Sequence, residues 1–249
     1  MNHFKIFFKN LGFIVLFFTL IFLLFLLDSL LKLGVTSQGF DIYLVLIIFL
    51  MLLIGFPSLR KDFFYHFSSV KNYGLSYIYI SICISAVLAM VMNVIRYIPF
   101  WITGEDLIGV GSKQLTSFEG FSIVGRYILT VIVGPFNEEF LFRYLSYGGL
   151  FLLIKQLPDH PWLRWIHNIS DHLFVKKTKI YIIFWVLLTS TWFSLVHGPN
   201  LLNFFFYFFS GVVYGVLFLK YGLLSSWTAH GSFNLFSNIM GWLLRLISR

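Results

Sequence analysis

Between Leu11 and Leu27 the chain offers no charged side chain at all. A backbone in that setting must satisfy its own polar groups, and a helix does so within one segment. Roughly 20 apolar residues cross the hydrocarbon core of a bilayer. Comparable runs recur, giving candidate spans at 11–31, 40–56, 75–95, 122–154, 180–197, 201–219 and 223–246. The fourth is long and carries Gly134-Pro135 inside it. Proline lacks a donor N–H and clashes with the preceding turn, so it kinks that helix or starts a new one. The reading is all-α: a polytopic membrane helical bundle of about 7–8 transmembrane helices in a single integral-membrane domain, residues 1–249. Composition agrees, since only 11% of the 249 residues are charged, against roughly 25% in soluble domains.

The net charge of +8 does not point to nucleic acid. The basic residues sit in short connections between apolar runs, as membrane topology requires, and no nucleic-acid motif is present. Lys5 and Lys9 precede the first span; Arg60, Lys61 and Lys71 follow the second. Lys155, Arg164, Lys176, Lys177 and Lys179 lie between the fourth and fifth spans, around and within the extended 156–178 connection, and Lys220 separates the last two spans. The connection after the third span holds Glu105, Asp106 and Glu119 against Arg96 and Lys113. This alternation predicts a cell-membrane protein with a cytoplasmic N-terminus, although Arg245 and Arg249 then fall outside on a seven-span count. No small-residue cleavage site follows the first run, so it reads as a retained helix rather than a signal peptide. Cys83 is the single cysteine and reads as a packed or lipid-facing thiol. The 156–178 segment alternates Trp162 and Trp165 with Arg164 and His167. That suits a helix in the headgroup layer or an irregular loop with interfacial tryptophans.

Ionisable groups inside spans are costly and usually face the bundle interior. Here they are few: Glu138, Glu139 and Arg143 in the fourth span, His197 closing the fifth, and His230 with Asn234 in the seventh. Glu139 and Arg143 are i and i+4 and can pair, whereas Glu138 points about 100° away. Phe193 with His197, and His230 with Asn234, repeat the i, i+4 spacing. Gly211 and Gly215 form a small-xxx-small pair that permits close helix approach. A carboxylate in an apolar pocket can serve as general base, a histidine can hold the same water, and a second histidine with a carboxamide can stabilise an oxyanion. Such a set suffices for water-mediated amide hydrolysis. Each pair by itself is equally a structural contact.

The three pairs occur as "EEFLFR" (138–143), "FSLVH" (193–197) and "HGSFN" (230–234). In that order they resemble the motifs of the CAAX prenyl protease and Abi-type intramembrane protease family, abbreviated CPBP. The resemblance spans about 120–240 and marks it as the catalytic core; 1–120 matches only as generic spans. It implies that Glu138 and His197 activate a water, that His230 and Asn234 form the oxyanion site, and that Glu139, Arg143 and Phe193 support them. It further implies a metal-free endopeptidase, without cofactor, acting on a membrane-associated peptide or protein in the bilayer, in peptide maturation or bacteriocin self-immunity. Two alternatives stand beside it. One is a zinc hydrolase with Glu138, His197 and His230 as ligands. The other is a non-catalytic immunity or scaffold protein. A shared water requires His197 and His230 to lie within about 12 Å. That predicts a short hairpin around "HGPN" (197–200), tucked into the bundle, and a cavity opening to the cytoplasmic side.

Overall fold

The computed structural model describes residues 2–35, 40–67, 74–105, 107–109 and 120–247. Lys71, Asp106, Lys113, Glu119 and Arg249, which entered the charge balance, lie outside the described residues. The described residues are helical, with no strand among them.

Helix α1 (Asn2–Leu31) ends where Asp28 Oδ1 accepts from the N–H groups of Gly34 (2.8 Å) and Val35 (3.2 Å). Helix α2 (Phe40–Gly55) meets α3 (Pro57–Phe67) at a 114° bend. Proline there opens α3, where its missing N–H costs nothing. Helix α4 (Ser76–Thr103) continues past the predicted end of the third span.

The fourth predicted span is one continuous helical stretch over 123–154 with two widened, π-helical parts. It runs through α5 (Ile123–Tyr127), a π-turn (Ile128–Val133), α6 (Gly134–Glu139), a second π-segment (Phe140–Gly149) and α7 (Leu150–Ile154). Pro135 therefore starts no separate helix. The Gly134 N–H reaches back to Leu129 O, one residue further than an α-helix would, and the wider turn absorbs the proline. A short helix α8 (Arg164–Ser170), extended to Val175, occupies the 156–178 connection. Its Leu173 and Phe174 are buried while Trp162 and Trp165 are exposed. Helices α9 (Lys179–Val196), α10 (Phe204–Tyr221) and α11 (Leu223–Ile247) complete the chain.

Four described helical segments are long and apolar enough to cross a membrane: Leu11–Leu31, Ser76–Thr103, Lys179–Val196 and Phe204–Tyr221. The bent α2–α3 pair makes five if it is one broken span. The predicted seven to eight is thus cut to four or five by that criterion. The 123–154 stretch is divided by its π-segments, and serines and asparagines lower the hydropathy of α11.

Packing is specified by small residues and rings. Ser81 Oγ meets Ser225 Oγ at 2.6 Å, and Tyr97 O–H donates to Gly241 O at 3.2 Å. The sequence offset of 144 is the same in both, so α4 and α11 run parallel in one register. The buried face of α4, Tyr77, Ser81, Ser85, Ala89 and Asn93, repeats every fourth residue, and its small members allow close approach. A Cβ on Gly211 would sit 3.2 Å from Ser190 Cα, which fixes α10 tightly on α9; Gly215 makes only ordinary contact with Val186. Phe136, Phe140 and Tyr144 recur at i, i+4, i+8 and stack into a core with Phe49 and Phe63. One face of the 123–154 stretch is thereby committed to α2 and α3. The face that carries Glu138, Glu139 and Arg143 turns to α9, α10 and α11.

Candidate active site

Glu139 and Arg143 are fully buried. Glu139 Oε2 lies 3.4 Å from Arg143 Nε, the pairing expected from their spacing, and Arg143 Nη2 donates to Gly211 O at 3.0 Å. The guanidinium also lies 5.0 Å from the centre of the Phe193 ring, close enough for cation–π attraction. Glu139 has a second partner that the spacing did not suggest. Its Oε1 accepts from His230 Nδ1 at 2.9 Å. One buried carboxylate thus holds a cation with one oxygen and orients an imidazole with the other.

Glu138 faces elsewhere. Its Oε2 lies 3.6 Å from His197 Nε2 and 3.8 Å from His230 Nε2. The two histidines therefore share one carboxylate oxygen, well inside the separation a common water needs. His197 Nδ1 is 2.7 Å from Phe193 O. A carbonyl only accepts, so Nδ1 carries a proton toward it and Nε2 is left facing Glu138. The same argument applies to His230 against an ionised Glu139. Glu138 Oε2 is itself buried without a hydrogen-bond partner. One carboxylate oxygen and two imidazole nitrogens thus converge on one point.

The rings are held from behind. Tyr207 stacks on His197 (4.4 Å between centroids) and Tyr214 on His230 (4.6 Å). Phe193 packs against both imidazoles. Asn234 lines the same cavity, but its Nδ2 donates to Thr130 O at 2.9 Å. Sequence reasoning did not single out Tyr207 and Tyr214. Their seven-residue separation puts them on one stripe of α10, a signal present in the sequence but hidden among many aromatic residues. No spacing rule could have joined Glu139 to His230, which are 91 residues apart.

The site opens into a cavity of about 690 Å³ whose walls include Asp41, Asn93, Arg96 and Asn238 as well as Glu138, His197 and His230. The lining comes from the start of α2 and α10, the end of α9 and the later half of α4. Lys179 and Lys220, at the start of α9 and the end of α10, mark the opposite end of the bundle. The cavity and the basic residues Lys179 and Lys220 are therefore at different ends of the bundle. The hairpin over 198–203 is only partly tucked in. Asn203 is buried and donates to Gly109 O, whereas Leu201 is 84% exposed.

No group of three histidine, cysteine or carboxylate side chains among the described residues is placed to hold a metal ion. Residues 120–236 match the family model described as type II CAAX prenyl endopeptidase Rce1-like. No curated protein and no solved structure matches the chain.

Proposed function

Because the chain belongs to the CAAX prenyl endopeptidase family through residues 120–236, we propose that it hydrolyses a peptide bond in a membrane-associated peptide or protein, with Glu138 and His197 activating the water. The observation that carries this reading is the convergence of the unpartnered Glu138 Oε2 with the Nε2 atoms of His197 and His230. A water at that point gives its protons to two of the acceptors and turns a lone pair toward the scissile carbonyl. Glu138 takes the proton as general base. His230 begins as an acceptor. As the water oxygen bonds to the carbonyl carbon, Glu138 passes the water proton on to His230 Nε2, 3.8 Å away, which then donates to the oxyanion and gives that proton to the leaving amine as the C–N bond breaks, while Glu139 steadies the imidazolium through Nδ1. The other Asn234 amide proton is available to the cavity for the same oxyanion. Arg143 and Phe193 hold Glu139 and His197 in place.

The reaction in this reading is metal-independent. Turnover persists under strong chelation; loss restored by zinc would replace it with the zinc hydrolase. The cellular role is peptide maturation or bacteriocin self-immunity, both served by one active site. The central test compares membrane peptidomes of cells carrying wild type and Glu138→Gln. Precursor accumulates in the variant and a truncated product disappears. A Glu138→Gln protein that folds, leaves the peptidome unchanged and still confers protection would establish the non-catalytic immunity reading.

The proposed topology keeps the N-terminus cytoplasmic and lets the 123–154 stretch and α11 cross as well, for seven crossings. The cavity then faces outward. A cysteine placed at Asn238 in a Cys83→Ser background is labelled from outside intact cells by an impermeant thiol reagent. Labelling only after lysis would reverse the orientation.

A further inference from the structure

The π-turn before Glu138 leaves backbone carbonyls that its own helix cannot serve. The N–H of Gly134 is taken by Leu129 O. Thr130 O therefore lacks its α-type donor, and its π-type donor would be residue 135, a proline with no N–H. Val131 O loses its α-type donor to the same proline. Both carbonyls, and the next one along, meet α11. Asn234 Nδ2 donates to Thr130 O at 2.9 Å. Trp227 Nε1 donates to Ile132 O at 2.9 Å. Between them, Gly231 lies so close that a Cβ there would stand 2.3 Å from Val131 O. Trp227, Gly231 and Asn234 follow the i, i+4, i+7 pattern of a single helical stripe, and they meet carbonyls 132, 131 and 130 in turn.

We infer that this stripe of α11 is a docking strip that grips the Glu138 helix by three successive carbonyls at the π-turn, where the shifted Gly134 N–H and Pro135 leave the helix short of donors. Trp227, Gly231 and Asn234 act as positioning residues that fix His230 against Glu138 and Glu139. His230 sits beside Gly231 on the same helix, so a shift of the strip moves its Nε2 relative to Glu138, now 3.8 Å away. The main work of Asn234 is then on Thr130 O rather than on the substrate. The indole of Trp227 adds a ring contact, edge-on to Phe136 at 5.1 Å, which ties the strip to the aromatic core behind Glu138. The inference deepens the hydrolytic reading and rests on it for its consequence in turnover.

The test is chosen so that the two can fail separately. The full-length protein in nanodiscs, with ¹⁵N-histidine, gives a direct imidazole signature for His230, assigned by its loss in His230→Gln. Asn234→Leu and Trp227→Phe each shift that resonance away from its wild-type position, while Trp242→Phe, an exposed tryptophan on the same helix, leaves it in place. A thermal unfolding midpoint for each variant separates misfolding from misplacement, and Trp227→Phe keeps the argument open if Asn234→Leu does not fold. An unmoved His230 resonance in both single variants overturns the docking strip whether or not a peptide is cleaved. If the strip holds and Glu138→Gln leaves the peptidome unchanged, the hydrolytic reading alone falls.

Discussion

Helix α1 and the 123–154 stretch are both about a bilayer long, yet they are built in opposite ways. Helix α1 is regular throughout, and most of its described large side chains are exposed. Its specification is little more than hydropathy and unbroken backbone hydrogen bonding. The 123–154 stretch alternates α and π geometry and carries two buried charges. Its surplus carbonyls are met by Asn234 and Trp227 of a neighbouring helix. A helix that only faces lipid needs no partner in particular, whereas one that carries chemistry departs from regularity and depends on specific side chains elsewhere to make the departure tolerable. Substitutions in the two should therefore differ sharply in effect.

The largest contrast is at Glu138. Glu138→Gln keeps the size of the side chain and removes the base, so peptide cleavage falls by about 10²–10⁴-fold with the unfolding midpoint unchanged. Phe18→Leu, on the exposed surface of α1, leaves cleavage at the wild-type rate in the same assay. Equal losses at the two positions would end the distinction between them. Next comes Glu139→Gln. It strands the Arg143 guanidinium in a fully buried position, and breaking a buried ion pair costs roughly 3–5 kcal/mol. Thermal unfolding in nanodiscs reads that cost directly. The two adjacent glutamates thus separate by observable, with cleavage alone lost at Glu138 and stability, together with part of the cleavage through His230, lost at Glu139.

Much of this division is written in the sequence. The i, i+4 spacing already pairs Glu139 with Arg143 and turns Glu138 away, and three polar pairs in greasy helices mark the site. What the sequence hides is long-range. The Glu139–His230 bond, the stacking of Tyr207 on His197 and the docking of Trp227 on Ile132 O all join residues from different helices, which no local period links. Span counting suffers for a related reason. Polar residues that line a cavity lower the hydropathy of α11, and π-segments divide the 123–154 stretch, so the helices that do the work look least like membrane spans. The charge of the connections marks the ends of the bundle but not which end the site lies nearer, so the position of the cavity beside the start of α2 and the end of α9 is legible only in the fold.

Two glycines sharpen the comparison at smaller scale. Gly12 in α1 has no atom within 4 Å of a would-be Cβ, so Gly12→Ala stabilises that helix by about 0.5–1 kcal/mol. Gly231 faces backbone at 2.3 Å, and backbone cannot move aside as a side-chain tip can. Overpacking there costs about 1–3 kcal/mol. The opposite signs of the two changes, measured in one unfolding assay, are the expected result. Matching signs would mean that α11 does not depend on close approach to Val131.

The smallest effect belongs to the α4–α11 seam. Ser81 Oγ can donate either to Ser225 Oγ, 2.6 Å away, or to Tyr77 O in its own helix at 2.7 Å. Interhelical hydrogen bonds in membranes average about 0.6 kcal/mol, because the separated helices also find partners. Ser81→Ala therefore costs little. Ser81→Leu is different. It forces a branched side chain into the buried face beside the small residues Ser85 and Ala89, and overpacking adds about 1–3 kcal/mol. A small loss for alanine and a larger one for leucine, by thermal unfolding, would show that the seam is held by close approach of small residues. A loss for alanine as large as that for leucine would make the hydroxyl itself the determinant, and the seam would then resemble the carbonyl-gripping face of α11 more than the smooth surface of α1.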